Sequence, residues 1–101
     1  MDNFKNEIEI EGFVDKMSSS SSIDKYGYEY ITFILHYPRS NKKDNYFRCR
    51  IIDDPTLIQK TQSLKNNQFV RVKGELIDYM QNGIPKTNII VKGLEELWRK
   101  F

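Results

Sequence analysis

A chain of 101 residues, 39% hydrophobic and 13% aromatic, is one domain with a modest core and is too apolar to remain disordered. Its single cysteine excludes an internal disulfide and a cysteine-rich zinc site, and points to a reducing interior. No apolar run reaches membrane-spanning length, and the acidic start MDNFKNEIEIE lacks the basic-then-apolar order of a signal peptide, so a cytoplasmic protein without membrane contact is expected. The net charge of +2 is unevenly spread. Residues 1–30 hold 7 acids and 3 bases, residues 31–53 hold 2 acids and 5 bases, and residues 54–101 hold 5 acids and 8 bases. The sign changes along the chain, which suggests a segregated surface.

Clean alternation comes first in EIEIEGFV, residues 7–14. Ile8, Ile10 and Val14 fall on one face and Glu7, Glu9 and Glu11 on the other, which predicts a strand with one buried side. The serine run 18–22 has no period and reads as a loop. YGYEYITFILHY, residues 26–37, is the longest strand-like run. Ile31, Phe33, Leu35 and Tyr37 form one row, and Tyr28, Tyr30, Thr32, Ile34 and His36 form the other. A polar, basic turn region, PRSNKKDN at 38–45, leads into YFRCRII at 46–52, so the two runs predict a hairpin with a basic tip.

DDPTLIQKTQSLKNN, residues 53–67, is the one internal helix. Asp54 is a suitable N-cap, Pro55 fits the first helical position, and Asn66 and Asn67 tolerate the left-handed conformation that ends a helix. Alternation resumes at 69–80, turns at QNGIP (81–85) around an Asn-Gly pair, and continues at 86–93. Leu94, Leu97, Trp98 and Phe101 stand at helical spacing, which predicts a short C-terminal helix or tail over 94–101. Five strands with a helix between the third and fourth describe an all-β OB-fold, a five-stranded Greek-key barrel occupying the whole chain.

Catalysis has no support in the residues. His36 has no cysteine beside it for a metal site, and Asp54 is committed as a helix cap. No carboxylate cluster suits divalent-metal nuclease chemistry, and the five glycines are too scattered for a phosphate loop, so neither cofactor nor metal is expected. Cys49 reads as a small core hydrophobe.

The residues NEIEIEGFV, TFILHYPR, YFRCRII and LKNNQFVRVKGEL follow one another as the strands of the bacterial single-stranded DNA-binding protein family do. The chain resembles that family from about Asn6 to Leu97, although the family usually carries glycine where Asn67 stands. Its hairpin tip and its turn at 80–85 are shorter, an outward aromatic of the family corresponds to Gln81, and the sequence ends at LWRKF without the family's Gly-rich linker and acidic tip.

The resemblance implies single-stranded DNA as partner, a homo-oligomer (dimer or tetramer) and contacts with replication or repair proteins. It also implies base-stacking roles at positions 46 and 52. Unpaired bases need flat apolar faces and phosphates need cations, and stacking tolerates any base. By strand parity Tyr46, Arg48, Arg50 and Ile52 point together, away from Phe47, Cys49 and Ile51, and join both requirements on one surface. Tyr37, Tyr79, Arg39, Lys42 and Lys43 complete the candidate nucleic-acid-binding set. Tyr26 and Tyr28, at the mouth of the serine loop, either close over a strand of DNA or pack at the barrel end, and the second is expected.

The three glutamates of the first strand would repel a second copy of that strand unless Lys or Arg lies opposite. They leave either a different assembly or basic residues of a partner subunit facing them. An OB-fold adaptor of the primosomal replication type, working mainly through protein contacts, is the alternative function.

Overall fold

The computed structural model describes residues 5–15, 20–37 and 45–97, with the side chain of Tyr79 excepted. Its elements in chain order are β1 (Ile8–Asp15), β2 (Ser22–Ile23), β3 (Glu29–Tyr37), β4 (Asn45–Ile52), α1 (Pro55–Gln62), β5 (Phe69–Gln81) and β6 (Ile84–Glu96). The strands form one sheet in the order β1-β5-β6-β4-β3-β2, and β1 pairs again with β3. That last pairing closes a five-stranded ring, so the architecture is the OB-fold barrel expected from the element order. The sixth strand, β2, is a two-residue addition to β3, with Ser22 opposite Tyr30 and Ile23 opposite Glu29.

Closure of the ring seals one face of every strand. Val14, Phe33, Leu35, Cys49, Ile51 and Ile89 are essentially inaccessible to solvent. The predicted parity holds on β1, where Ile8 and Ile10 pack against the core and Glu9 and Glu11 are exposed. It holds on β3, where Ile31, Phe33 and Leu35 are buried and their alternates half-buried. Residues 26–28, read from sequence as the start of that strand, instead belong to a turn before β3. One carboxylate oxygen of Asp24 accepts from the backbone N–H of Tyr26 and of Tyr28, both at 2.9 Å, and fixes the turn locally. Tyr26 is 73% and Tyr28 48% exposed, so neither packs at the barrel end as expected.

The helix α1 closes one end of the barrel. Asp54 caps it by accepting from the N–H of Leu57 at 3.0 Å, and Pro55 opens it. Leu57, Ile58 and Thr61 are its buried side, with the Thr61 hydroxyl donating to the Leu57 carbonyl at 2.8 Å. It is shorter than the predicted 53–67. The chain must leave helical geometry after Gln62 because Leu64 joins the core while Asn67 donates its N–H to the Val14 carbonyl at 2.7 Å. Asn67 meets that demand with φ of 70°, a left-handed conformation that suits glycine or asparagine.

The β5–β6 hairpin turns at Asn82 and Gly83, with φ of 53° and 77° as a two-residue type I′ turn requires. The last strand is longer than the sequence suggested. It runs through Leu94 to Glu96, with Leu94 opposite Val72 and Glu96 opposite Val70. The predicted helix therefore does not begin at Leu94, and residues 98–101 lie outside the described set. The helical spacing of Leu94 and Leu97 is overridden by ladder bonds to β5, where Leu97 donates to the Phe69 carbonyl at 2.9 Å.

Burial pushes the Cys49 thiol up from 9.0 to about 12. An unfolded chain releases this proton near 9, so between pH 9 and 12 the folded state holds more protons and loses stability as pH rises. Chemical denaturation across that window should show wild type losing up to about 1.4 kcal/mol per pH unit relative to Cys49→Val. Parallel curves for the two proteins would place the thiol outside the core.

Candidate nucleic-acid interface

The outward face of β3 and β4 is fixed by their register. Tyr30 stands opposite Ile52, Thr32 opposite Arg50, Ile34 opposite Arg48 and His36 opposite Tyr46. Directly opposed residues share a face. Since Phe33, Cys49 and Ile51 point into the barrel, these four pairs point out of it. The parallel pairing of β4 with β6 carries the surface further, with Arg48 beside Asn88 and Arg50 beside Ile90. On β6, Asn88 is in turn opposite Ile77 of β5.

Two contacts organise this face. The rings of His36 and Tyr46 stack at 4.9 Å between centroids and 13° between planes. The guanidinium of Arg50 lies over the ring of Tyr30, 4.3 Å from its centroid. The first arrangement makes a two-ring aromatic platform whose tyrosine remains 58% exposed. The second holds a cation flat in a fixed plane, as the guanidinium geometry permits. Arg48 is exposed between them and makes no ion pair among the described residues. Ile52 is half-buried next to Tyr30.

Of the residues singled out from sequence, the structure brings together Tyr46, Arg48, Arg50 and Ile52. Tyr37 does not join them. It is opposite Asn45, one residue out of phase with His36, and it shares a shallow depression with Glu9, Ile10 and Glu11 on the other side of the strand. The sequence reading groups it with the site, but parity sends it to the opposite face. Arg39, Lys42 and Lys43 lie outside the described residues. The backbone of Tyr79 pairs with Lys86, while its side chain is outside the described set.

Tyr30, Ile34, His36, Asn88 and Ile90 belong to the same surface although the sequence set did not include them. The alternation of β3 already placed Tyr30, Ile34 and His36 in one row. What was missing was the register that lays this row against Arg48 and Arg50. Asn88 and Ile90 carry no signal, because NIIV at 88–91 shows no apolar–polar alternation and all four residues are buried.

The glutamates of β1 are answered within the same chain. Glu11 faces Arg71 in register, and Arg71 faces Glu95. The Arg71 guanidinium donates to Glu11 Oε2 through Nε at 2.9 Å and through its terminal nitrogen at 2.7 Å. It also meets Glu9 at 3.1 Å and Glu95 at 3.2 Å. Its hydrogen bonds to Glu11 raise the arginine's already high pKa against a desolvation effect, and the charges of Glu11, Glu95 and Glu9 act in the same direction. Neither a partner subunit nor the Arg48–Arg50 face is needed to compensate Glu9 and Glu11.

Among the described residues, no three His, Cys, Asp or Glu side chains are grouped to hold a metal, and no helix is long and apolar enough to cross a membrane.

No protein-family model matches the sequence, and no curated protein matches it. Solved structures do. A single-stranded DNA-binding protein of Plasmodium falciparum, in complex with single-stranded DNA, superposes with a TM-score of 0.73 at 22% identity, over 96% of this chain and 98% of that one. The N-terminal domain of the PriB protein from Thermoanaerobacter tencongensis, described as dimeric, gives 0.69 at 20% identity over 93% and 98%. Rim1, a mitochondrial single-stranded DNA-binding protein of Saccharomyces cerevisiae, gives 0.75 at 14% identity over 90% and 94%. At these identities the likeness establishes the shared OB-fold.

Arg71 and Arg48 should behave differently in thermal melts. Arg71→Ala should lower the melting temperature at low salt, and the deficit should shrink in 1 M salt as the carboxylates it leaves unpaired are screened. Arg48→Ala should leave the melting temperature nearly unchanged at either salt. Equal losses in the two variants would mean that Arg48 is held by a structural contact.

Proposed function

We propose that the protein binds single-stranded DNA with little sequence preference across the outward face of β3, β4 and β6. The observation that carries this reading is the meeting of the stacked His36–Tyr46 platform with Arg48 and Arg50 on one exposed surface. An unpaired base can continue the stack on the open side of Tyr46, at about 1–3 kcal/mol per base. Arg48 can meet phosphate, and Arg50 can meet phosphate or lie against a base while resting on Tyr30. Ile52 and Ile34 offer apolar footing without hydrogen-bond readout. The same fold in proteins named for single-stranded DNA binding supports the reading.

Arg39, Lys42 and Lys43, which follow β3 in sequence, and Tyr79 on β5 extend the proposed path. The work that fits is shielding exposed strands in replication, repair or mobile-element transfer, inside the cell and as a homo-oligomer. A PriB domain of the same fold is described as dimeric, which supports self-association. Arg71 lowers the cost of bringing together two acidic β1 faces.

Fluorescence anisotropy with labelled oligo-dT, the matching RNA and a duplex of equal length tests the function directly. With about four cations on phosphate, log affinity should fall against log salt with a slope near −3, at roughly −0.7 per contact for a single strand. Replacing Arg48 and Arg50 together by Ala should flatten the slope by about 1.4. Duplex should bind far more weakly than oligo-dT. An unchanged slope in the double variant would remove this face from the interface. Tyr46→Ala should weaken oligo-dT binding by about fivefold or more while leaving the salt slope intact, since it removes stacking and no charge.

A further inference from the structure

The hairpin that leads into β3 holds two tyrosines in water, Tyr26 and Tyr28. Its backbone is locked. The N–H of Asp24 donates to the Tyr28 carbonyl at 2.9 Å, and the N–H of Gly27 donates to the Asp24 carbonyl at 3.0 Å. Gly27 adopts φ of 88°, as the last position of a three-residue hairpin loop requires. Together with the two N–H groups that Asp24 Oδ1 accepts, these bonds hold the tyrosine backbones in place before any ligand arrives.

The register says where Tyr28 points. Ser22 is opposite Tyr30 and Ile23 opposite Glu29, so the next pair is Asp24 with Tyr28. Residues two apart on a strand share a face. Tyr28 therefore continues the outward row of Tyr30, Thr32, Ile34 and His36. Ile23 and Glu29 take the other side, where the Glu29 carboxylate accepts from the Ser21 hydroxyl at 2.7 Å. No long side chain of β2 lies opposite the row: Ser22 is opposite Tyr30, and the carboxylate of Asp24 is turned back onto its own loop. The β4 strand ends beside Tyr30, at Ile52, and does not pair with Tyr28.

Resting on the reading of the β3–β4 face as a single-stranded DNA interface, we propose that Tyr28, with Tyr26 and Lys25 next to it in the hairpin loop, is a second base-stacking station on the same strand path. It lies at the opposite end of the outward row from the His36–Tyr46 platform, roughly 26 Å away at about 3.3 Å per residue. Arg48 and Arg50 stand between the two, opposite Ile34 and Thr32. A single strand laid along the arginines thus meets an aromatic ring at each end. The two ends differ in charge. The hairpin offers one cation, Lys25, whose Nζ lies 5.1 Å from the centre of the Tyr26 ring. It also carries Asp24 and Glu29, and Asp53 donates its N–H to the Glu29 carbonyl at 2.8 Å. Binding there comes from base stacking and not from phosphate contact, since phosphates are poorly served among three carboxylates.

The test measures anisotropy with labelled oligo-dT of about four and about twelve nucleotides, lengths within the range one OB-fold covers. Tyr28→Ala should weaken the longer strand by about fivefold or more, and Tyr28→Phe, which keeps the ring, should stay within about twofold of wild type. The salt slope should not change in either variant, because no charge is removed. The shorter strand, held at Tyr46 by the arginines, should lose less than about twofold in Tyr28→Ala. Both variants should melt with wild type, since the bonds of the turn involve only backbone groups and Asp24. Unchanged affinity of Tyr28→Ala for the longer strand, or equal losses at both lengths, would overturn the second station while leaving the Arg48–Arg50 interface standing. A loss accompanied by a smaller assembly in analytical ultracentrifugation would assign the hairpin to contact between copies of the chain and overturn the station likewise. Failure of wild type to bind any single strand would instead overturn the interface and the station with it.

Discussion

The pairing register of β4 with β3 on one side and β6 on the other determines everything that this surface can do. Cys49 opposite Phe33 and beside Ile89 places three buried side chains in one layer of the core. Once that layer is sealed, a slip of one residue is forbidden, because it would turn Arg48 and Arg50 into the barrel and Cys49 and Ile51 into water. The core therefore holds the arginines outward. The same constraint lays Tyr30, His36 and Tyr46 beside them, so aromatic and cationic groups share a face because apolar groups share the opposite one.

Two kinds of arginine result. Arg71 stands on β5 between the carboxylates of β1 and β6 and is engaged three times over. Arg48 and Arg50 stand on β4, where neither neighbouring strand offers an opposed carboxylate. Three carboxylates, Glu9, Glu11 and Glu95, gather around Arg71 on the β1–β5–β6 side. Arg48 and Arg50 make no ion pair among the described residues, so a polyanion reaching the β3–β4 face would meet two free cations side by side. A net charge of only +2 is thus compatible with binding a phosphate backbone.

Much of this is legible in the amino-acid sequence. Alternation in EIEIEGFV and YITFILHY gave correct faces because each run is long, and a closed barrel leaves no freedom once one row is buried. Asp54–Pro55 marked the helix start, and Asn82–Gly83 marked the turn, because both act through local backbone chemistry. Other features depend on distant pairing and left no local trace. The early end of α1 follows from Leu64 entering the core and from Asn67 meeting Val14. The extension of β6 through Leu94 follows from its pairing with Val72, which outweighs a helical spacing of apolar residues. Tyr37 lies off the site because the register with Asn45 turns it to the opposite face from His36. Asn88 left no trace because the face it takes on β6 depends on pairing with β4 and β5.

Nuclear magnetic resonance mapping tests the central claim most directly: amide shifts are followed as unlabelled oligo-dT is titrated into the labelled protein. The account predicts the largest changes at Tyr30, His36, Tyr46, Arg48 and Arg50, with Glu9, Glu11, Arg71 and Glu95 nearly still. Largest changes at the Arg71 cluster, with the β3–β4 row unmoved, would contradict it.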